Sequence, residues 1–113
     1  MDGSLTLFTV QGTLVALHKH KVELAERAGL TLQDMEEVIH DVMANIEVVS
    51  IKEYRHKMNS AIDIMAAIDI EDVPYTALCL AKFLPIWSDD KDFQQQSVVR
   101  VITTKELVSS NFL

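Results

Sequence analysis

The chain has 113 residues, 49% of them hydrophobic, with only three Gly and two Pro, which describes a packed globule of one domain and argues against disorder. Its formal net charge of -7 weighs against a protein that grips nucleic acid by charge alone, because that affinity comes from Lys and Arg neutralising phosphates. It leaves open a metal-bridged substrate, since carboxylates clustered around divalent cations also make a chain acidic. No apolar run approaches the eighteen or so residues of a membrane span, and the N-terminus lacks a signal-peptide pattern. The lone cysteine, Cys79, excludes an internal disulfide and fits a reducing interior, so a cytoplasmic location is expected.

Taken in chain order, Leu5-Thr6-Leu7-Phe8-Thr9-Val10 is β-rich and predicts a strand. From about Gly12 to Ala28 the period turns helical (Leu14, Val15, Leu17, Val22, Leu24, Ala25, Ala28), and Gly29 supplies the stop. Thr31, with Asp34 three residues on, caps a second helix whose stripe is Leu32, Met35, Val38, Ile39, Val42, Met43 and Ile46, ending near Asn45. Ile46-Glu47-Val48-Val49 is a short strand. Ser50 and Glu53 form another capping box for a helix carrying Ile51, Tyr54, Met58, Ala61, Ile62 and Met65 on one face and Lys52, Arg55 and Lys57 around the other.

Residues 68–93, IDIEDVPYTALCLAKFLPIWSDDKDF, organise the rest. Asp72 stands where a helix begins, and Pro74 to about Phe83 is apolar on nearly every side, which predicts burial on most sides. Leu84 to Ser88 suits a short interior strand and runs into Asp89, Asp90 and Asp92. If strand and helix pack together, Asp72 and the acids after the strand share the rim where ligands of open α/β sheets sit. Gln94 to Ser97 is a polar connection, residues 98–102 a strand and residues 103–108 a short capped helix. Strands separated by helices predict an α/β domain with a mostly parallel sheet.

This order, and the acidic turns in particular, resemble the PIN domain, a family of small metal-dependent ribonucleases that includes the toxin components of toxin–antitoxin modules. The resemblance is carried by Asp72 opening the Ala-rich helix, by IWSDDKDF, and by VVRVITTKEL closing the chain. It implies a three-layer fold and residues 1–113 as one PIN-like domain, incomplete at its N-terminal end. The family sets four acids on one rim. Its third corresponds to Asp72 and its fourth to Asp90, with Asp92 beside it, so Asp72, Asp90 and Asp92 are the candidate catalytic and metal-binding residues. The acid of the early helix falls at Ala16, which cannot ligate a metal, and the first acid has no counterpart, as in a PIN domain that is shortened, decayed or incompletely delimited. The implied chemistry is RNA phosphodiester hydrolysis through Mg²⁺ or Mn²⁺, weak or absent here. RNA, an antitoxin-like protein and a second copy of the chain are the implied partners, and a non-catalytic interaction module is the alternative.

The plainer readings are set against these. Asp72 also suits a helix N-cap, worth about 1 kcal/mol. Asp89 is expected to point away and Ser88 to cap the next turn. His18 and His20 lie two apart, on different sides of a helix, and with Lys19 and Lys21 read as a solvated basic face. His40 and His56 have no ligand-spaced partner. Cys79 reads as inert core, Trp87 as core or rim packing rather than a base-stacking platform, and Glu71 as a turn residue.

Overall fold

The structure, a computed structural model, describes residues 6–109. Helices and parallel strands alternate along the chain, giving an α/β protein whose contacts divide into two compact units. Among the described residues no helix is long and apolar enough to cross a membrane.

The first unit, Thr6–Val49, holds strands β1 (Leu7–Val10) and β2 (Ile46–Val49), paired in parallel with Leu7 opposite Ile46 and Val10 opposite Val49. Leu5, expected in the first strand, lies outside the described residues. Parallel neighbours need a crossover, and three helices supply it: α1 (Gly12–Lys19), α2 (Lys21–Ala28) and α3 (Leu32–Ala44). The single helix expected over residues 12–28 is therefore two, broken at His20. The bend turns the second half onto α3, where Ala25 packs with Met35 and Ile39 and Lys21 pairs with Glu36 at 2.9 Å. An apolar period alone does not reveal such a bend, because both halves keep the same stripe. The stops are as read. Gly29 adopts φ 70°, a left-handed conformation that suits glycine, and the Thr31 hydroxyl accepts the Asp34 N–H at 3.1 Å.

The second unit is described over residues 50–109. The helix expected to start at Ser50 begins instead as two 3-10 turns, Ile51–Glu53 and Arg55–Lys57, and only then becomes α4 (Met58–Met65). The Ser50 hydroxyl accepts from the Lys52 N–H rather than from Glu53, and the two turns hold the Tyr54 ring buried between them. Helix α5 (Val73–Lys82) packs on α4. Ala61 and Ala77 are both fully buried, small side chains that allow close helix approach. Phe83, expected inside this helix, ends it. It is 92% exposed, with φ 56° and ψ 43°, a left-handed cap made by a bulky residue.

The last two strands are shorter than expected. Strand β3 (Ile86–Trp87) pairs in parallel with β4 (Val101–Ile102), and the ladder continues through Ile86 N–H to Arg100 C=O at 2.9 Å and Ser88 N–H to Ile102 C=O at 3.0 Å. Residues 98 and 99 stay out of regular pairing because Gln96 holds the backbone at Val99. Its amide nitrogen donates to the carbonyls of Phe93 and Val99, both at 2.8 Å, and its oxygen accepts the Val99 N–H at 2.8 Å. The described strands thus form two separate two-stranded parallel sheets. Helix α6 (Thr104–Ser109) opens with a reciprocal capping box: Glu106 N–H donates to the Thr103 hydroxyl at 3.2 Å, and Thr103 N–H to the Glu106 carboxylate at 3.4 Å.

Candidate acidic site

Two turns of the second unit build an acidic cluster. The first is the 3-10 turn Ile70–Asp72, which runs into α5. Asp69 caps it, its carboxylate accepting the Glu71 N–H at 3.0 Å. In a 3-10 turn residues three apart eclipse one another, so Asp69 and Asp72 come to the same side. Asp72 occupies the N-cap position of α5 but makes no side-chain cap hydrogen bond, so the plainer reading of this residue does not hold. Its backbone is bound at both ends, its N–H by the Asp69 carbonyl at 3.2 Å and its C=O by the Thr76 hydroxyl at 3.1 Å.

The second is the 3-10 turn Lys91–Gln95 that follows β3. Ser88 accepts the Asp90 N–H at 3.0 Å and Asp90 accepts the Asp92 N–H at 2.9 Å, two successive caps that turn the chain back. Ser88 is therefore a cap, as expected. Asp92 accepts a long bond from the Gln95 amide at 3.3 Å. Asp89 is drawn away from the cluster, because its carboxylate takes the Thr104 N–H at 2.8 Å and the Thr104 hydroxyl at 2.6 Å. Those two bonds hold its carboxyl below the usual carboxylate range.

One ligand atom each of Asp69, Asp72 and Asp92 lies within 4.8 Å of the others. Among the described residues this is the one group of three or more ligand-bearing side chains so gathered. Two carboxylates about 4 Å apart repel by roughly 4 kcal/mol at an effective dielectric near 20. Such repulsion favours the protonated form of a carboxyl. Partial burial first, and then the charges of Asp69, Asp90, Asp92 and Glu71, push the Asp72 carboxyl up to about 6. Partial burial and the charges of Asp90 and Asp69 raise Asp92 as well. The Asp72 Oδ2 atom is buried without a hydrogen-bond partner. A residue with one buried, unpartnered carboxylate oxygen, grouped with two more carboxylates, fits a hard cation, which takes oxygen ligands and fills its remaining positions with water.

Of the three residues expected to form the site, Asp72 and Asp92 meet in the cluster. Asp90 caps the adjoining turn and acts on both through its charge. Asp69 was not among the expected residues. The signal for it was its spacing, Asp-x-x-Asp across a turn. For Cys79, His20 and His40 the plainer readings hold. Cys79 is buried, its thiol pushed up to about 11 by burial. His20 lies 3.8 Å from Glu23 and His40 3.6 Å from its neighbour Asp41, both on solvated surface. Ala16, which the resemblance sets at the place of the early-helix acid, carries no ligand atom.

A family model described as PIN domain matches residues 1–110. No curated protein and no solved structure gives a match.

Proposed function

Since the chain belongs to the PIN-domain family, we propose that it is a divalent-metal-dependent nuclease of single-stranded RNA, with residues 1–113 as one such domain. Asp69, Asp72 and Asp92 would hold Mg²⁺ or Mn²⁺, and Asp90 would set the turn that presents Asp92. The observation that carries this reading is the unpartnered, buried Oδ2 of Asp72 within a carboxylate cluster. A bound ion would activate water and stabilise the charge on the phosphate being cleaved. The protein's own contribution is to hold the carboxylates rigidly, through the Asp69 cap and the Ser88–Asp90–Asp92 caps, on a negatively charged rim that no phosphate approaches without a cation.

Ala16 leaves the early-helix position without a carboxylate, so hydrolysis by the isolated chain should be weak. The same alanine favours a second reading, a non-catalytic module that keeps the fold and binds an antitoxin-like protein or a second copy. The two separate on one assay. Cleavage of a single-stranded RNA that needs Mg²⁺ or Mn²⁺, and falls at least tenfold in both Asp72→Asn and Asp90→Asn, is the expected result. Metal-insensitive behaviour, with no cleavage by the parent chain, would support the module.

A further inference from the structure

Trp87 is the chain's only tryptophan, and it is 50% exposed at the end of β3. Its polar edge is already satisfied. The indole N–H donates to the Thr104 hydroxyl at 2.9 Å, and that hydroxyl donates in turn to Asp89 at 2.6 Å. The other Asp89 oxygen takes the Thr104 N–H at 2.8 Å. The roles in this relay are consistent: the indole donates, the hydroxyl accepts once and donates once, and the carboxylate accepts twice. The backbone on either side of the ring is pinned to β4 through Ile86 and Ser88. The result is an aromatic ring with a fixed plane, a spent donor and surface open to solvent.

Its position gives that surface a use. Trp87 lies five residues before Asp92, a span of at most about 18 Å even if fully extended, and the intervening turn is held by the Ser88 and Asp90 caps. The rim it borders is acidic and the chain carries a net charge of -7, which disfavours gripping a polyanion by charge alone. A strand bound at this rim must gain its affinity elsewhere. Stacking on an aromatic ring is such a source, and it works for any sequence because every base has a π face.

We propose that Trp87, locked by Thr104 and Asp89, is a stacking platform for an unpaired base of single-stranded RNA lying along the acidic rim. The proposal rests on the ribonuclease reading for its substrate class, and binding tests it separately from cleavage. The indole is itself the probe, because all tryptophan emission comes from residue 87. The full chain, in Mg²⁺, is titrated with an eight-nucleotide oligouridylate and with an abasic strand of equal length. The oligouridylate should quench the emission to saturation, and the abasic strand should bind at least about tenfold more weakly. Followed by calorimetric titration, which needs no indole, Trp87→Ala should weaken oligouridylate binding by about tenfold or more, with the Mg²⁺ affinity unchanged, and Trp87→Phe should restore most of it. Equal affinity for the two strands, or binding that leaves the emission unaltered, overturns the proposal even if the chain cleaves RNA and even if a protein partner quenches the same indole. Quenching by the base-bearing strand alone, without any cleavage, upholds the platform while the hydrolytic reading fails. If Trp87→Ala does not fold, the parent chain's emission and the two-strand comparison still decide.

Discussion

Asp72 ties the stability of the fold to pH. A carboxyl that titrates near 6 when folded and near 4 when unfolded binds more protons in the native state between those values. The contribution of Asp72 to the stability of the metal-free protein should therefore be fully present below about pH 4 and be lost as pH rises through about 6. Urea melts from pH 4 to 8 should show that decline. Asp72→Asn should flatten it and raise stability at pH 8, by no more than about 1 kcal/mol because the site is partly exposed and screened. A saturating divalent cation should abolish the decline in the parent chain. Phe83 offers a second test at this scale. Its ring is almost wholly exposed and its backbone left-handed, a conformation asparagine adopts more readily. Phe83→Asn should be neutral or stabilising by about 0.5 kcal/mol, where a packed phenylalanine replaced by a small polar residue would cost several.

At the scale of elements, the chain's own sequence foretold most helix boundaries, because each carries a local chemical mark: Gly29, Thr31 with Asp34, Thr103 with Glu106. What it concealed depends on partners distant in sequence or on side-chain competition. The break at His20 answers to α3, which no local pattern displays. The 3-10 turns after Ser50 serve the burial of Tyr54. The strand expected at residues 98–102 loses its first half to Gln96, whose amide takes both backbone groups of Val99. Replacing Gln96 with Ala would leave the buried Val99 N–H and C=O without these partners, at a cost of about 1 to 3 kcal/mol in denaturant midpoint analysis. The acidic site divides the same way. Asp72 and Asp92 stood out beside a helix start and a strand end, whereas Asp69 required knowing that the intervening turn is 3-10. Trp87 reads as packing because it ends a short apolar strand; it is half exposed, its indole bound to Thr104, seventeen residues away.

For the whole molecule, acidity and function are one question. A protein of net charge -7 with three converging carboxylates carries unfavourable repulsion at neutral pH unless a cation joins it. Binding to the native state alone at about a hundred times its Kd would add about 2.7 kcal/mol of stability. Few phosphate contacts are available, so RNA affinity should fall only shallowly with monovalent salt while depending steeply on Mg²⁺. A steep loss of binding between 50 and 200 mM KCl would point to a basic surface instead. The first unit also leaves apolar side chains exposed, among them Val38 and Val42 one turn apart on α3. These support the proposed self-association, which sedimentation across a concentration series checks.

The most direct measurement is a calorimetric titration of the metal-free protein with Mn²⁺, repeated on Asp72→Asn/Asp92→Asn. The parent chain should bind one or two ions with an affinity that the double variant loses by at least tenfold, while its helical circular dichroism stays the same. Equal binding by the two proteins, or none by either, would contradict the assignment of this cluster as a cation site.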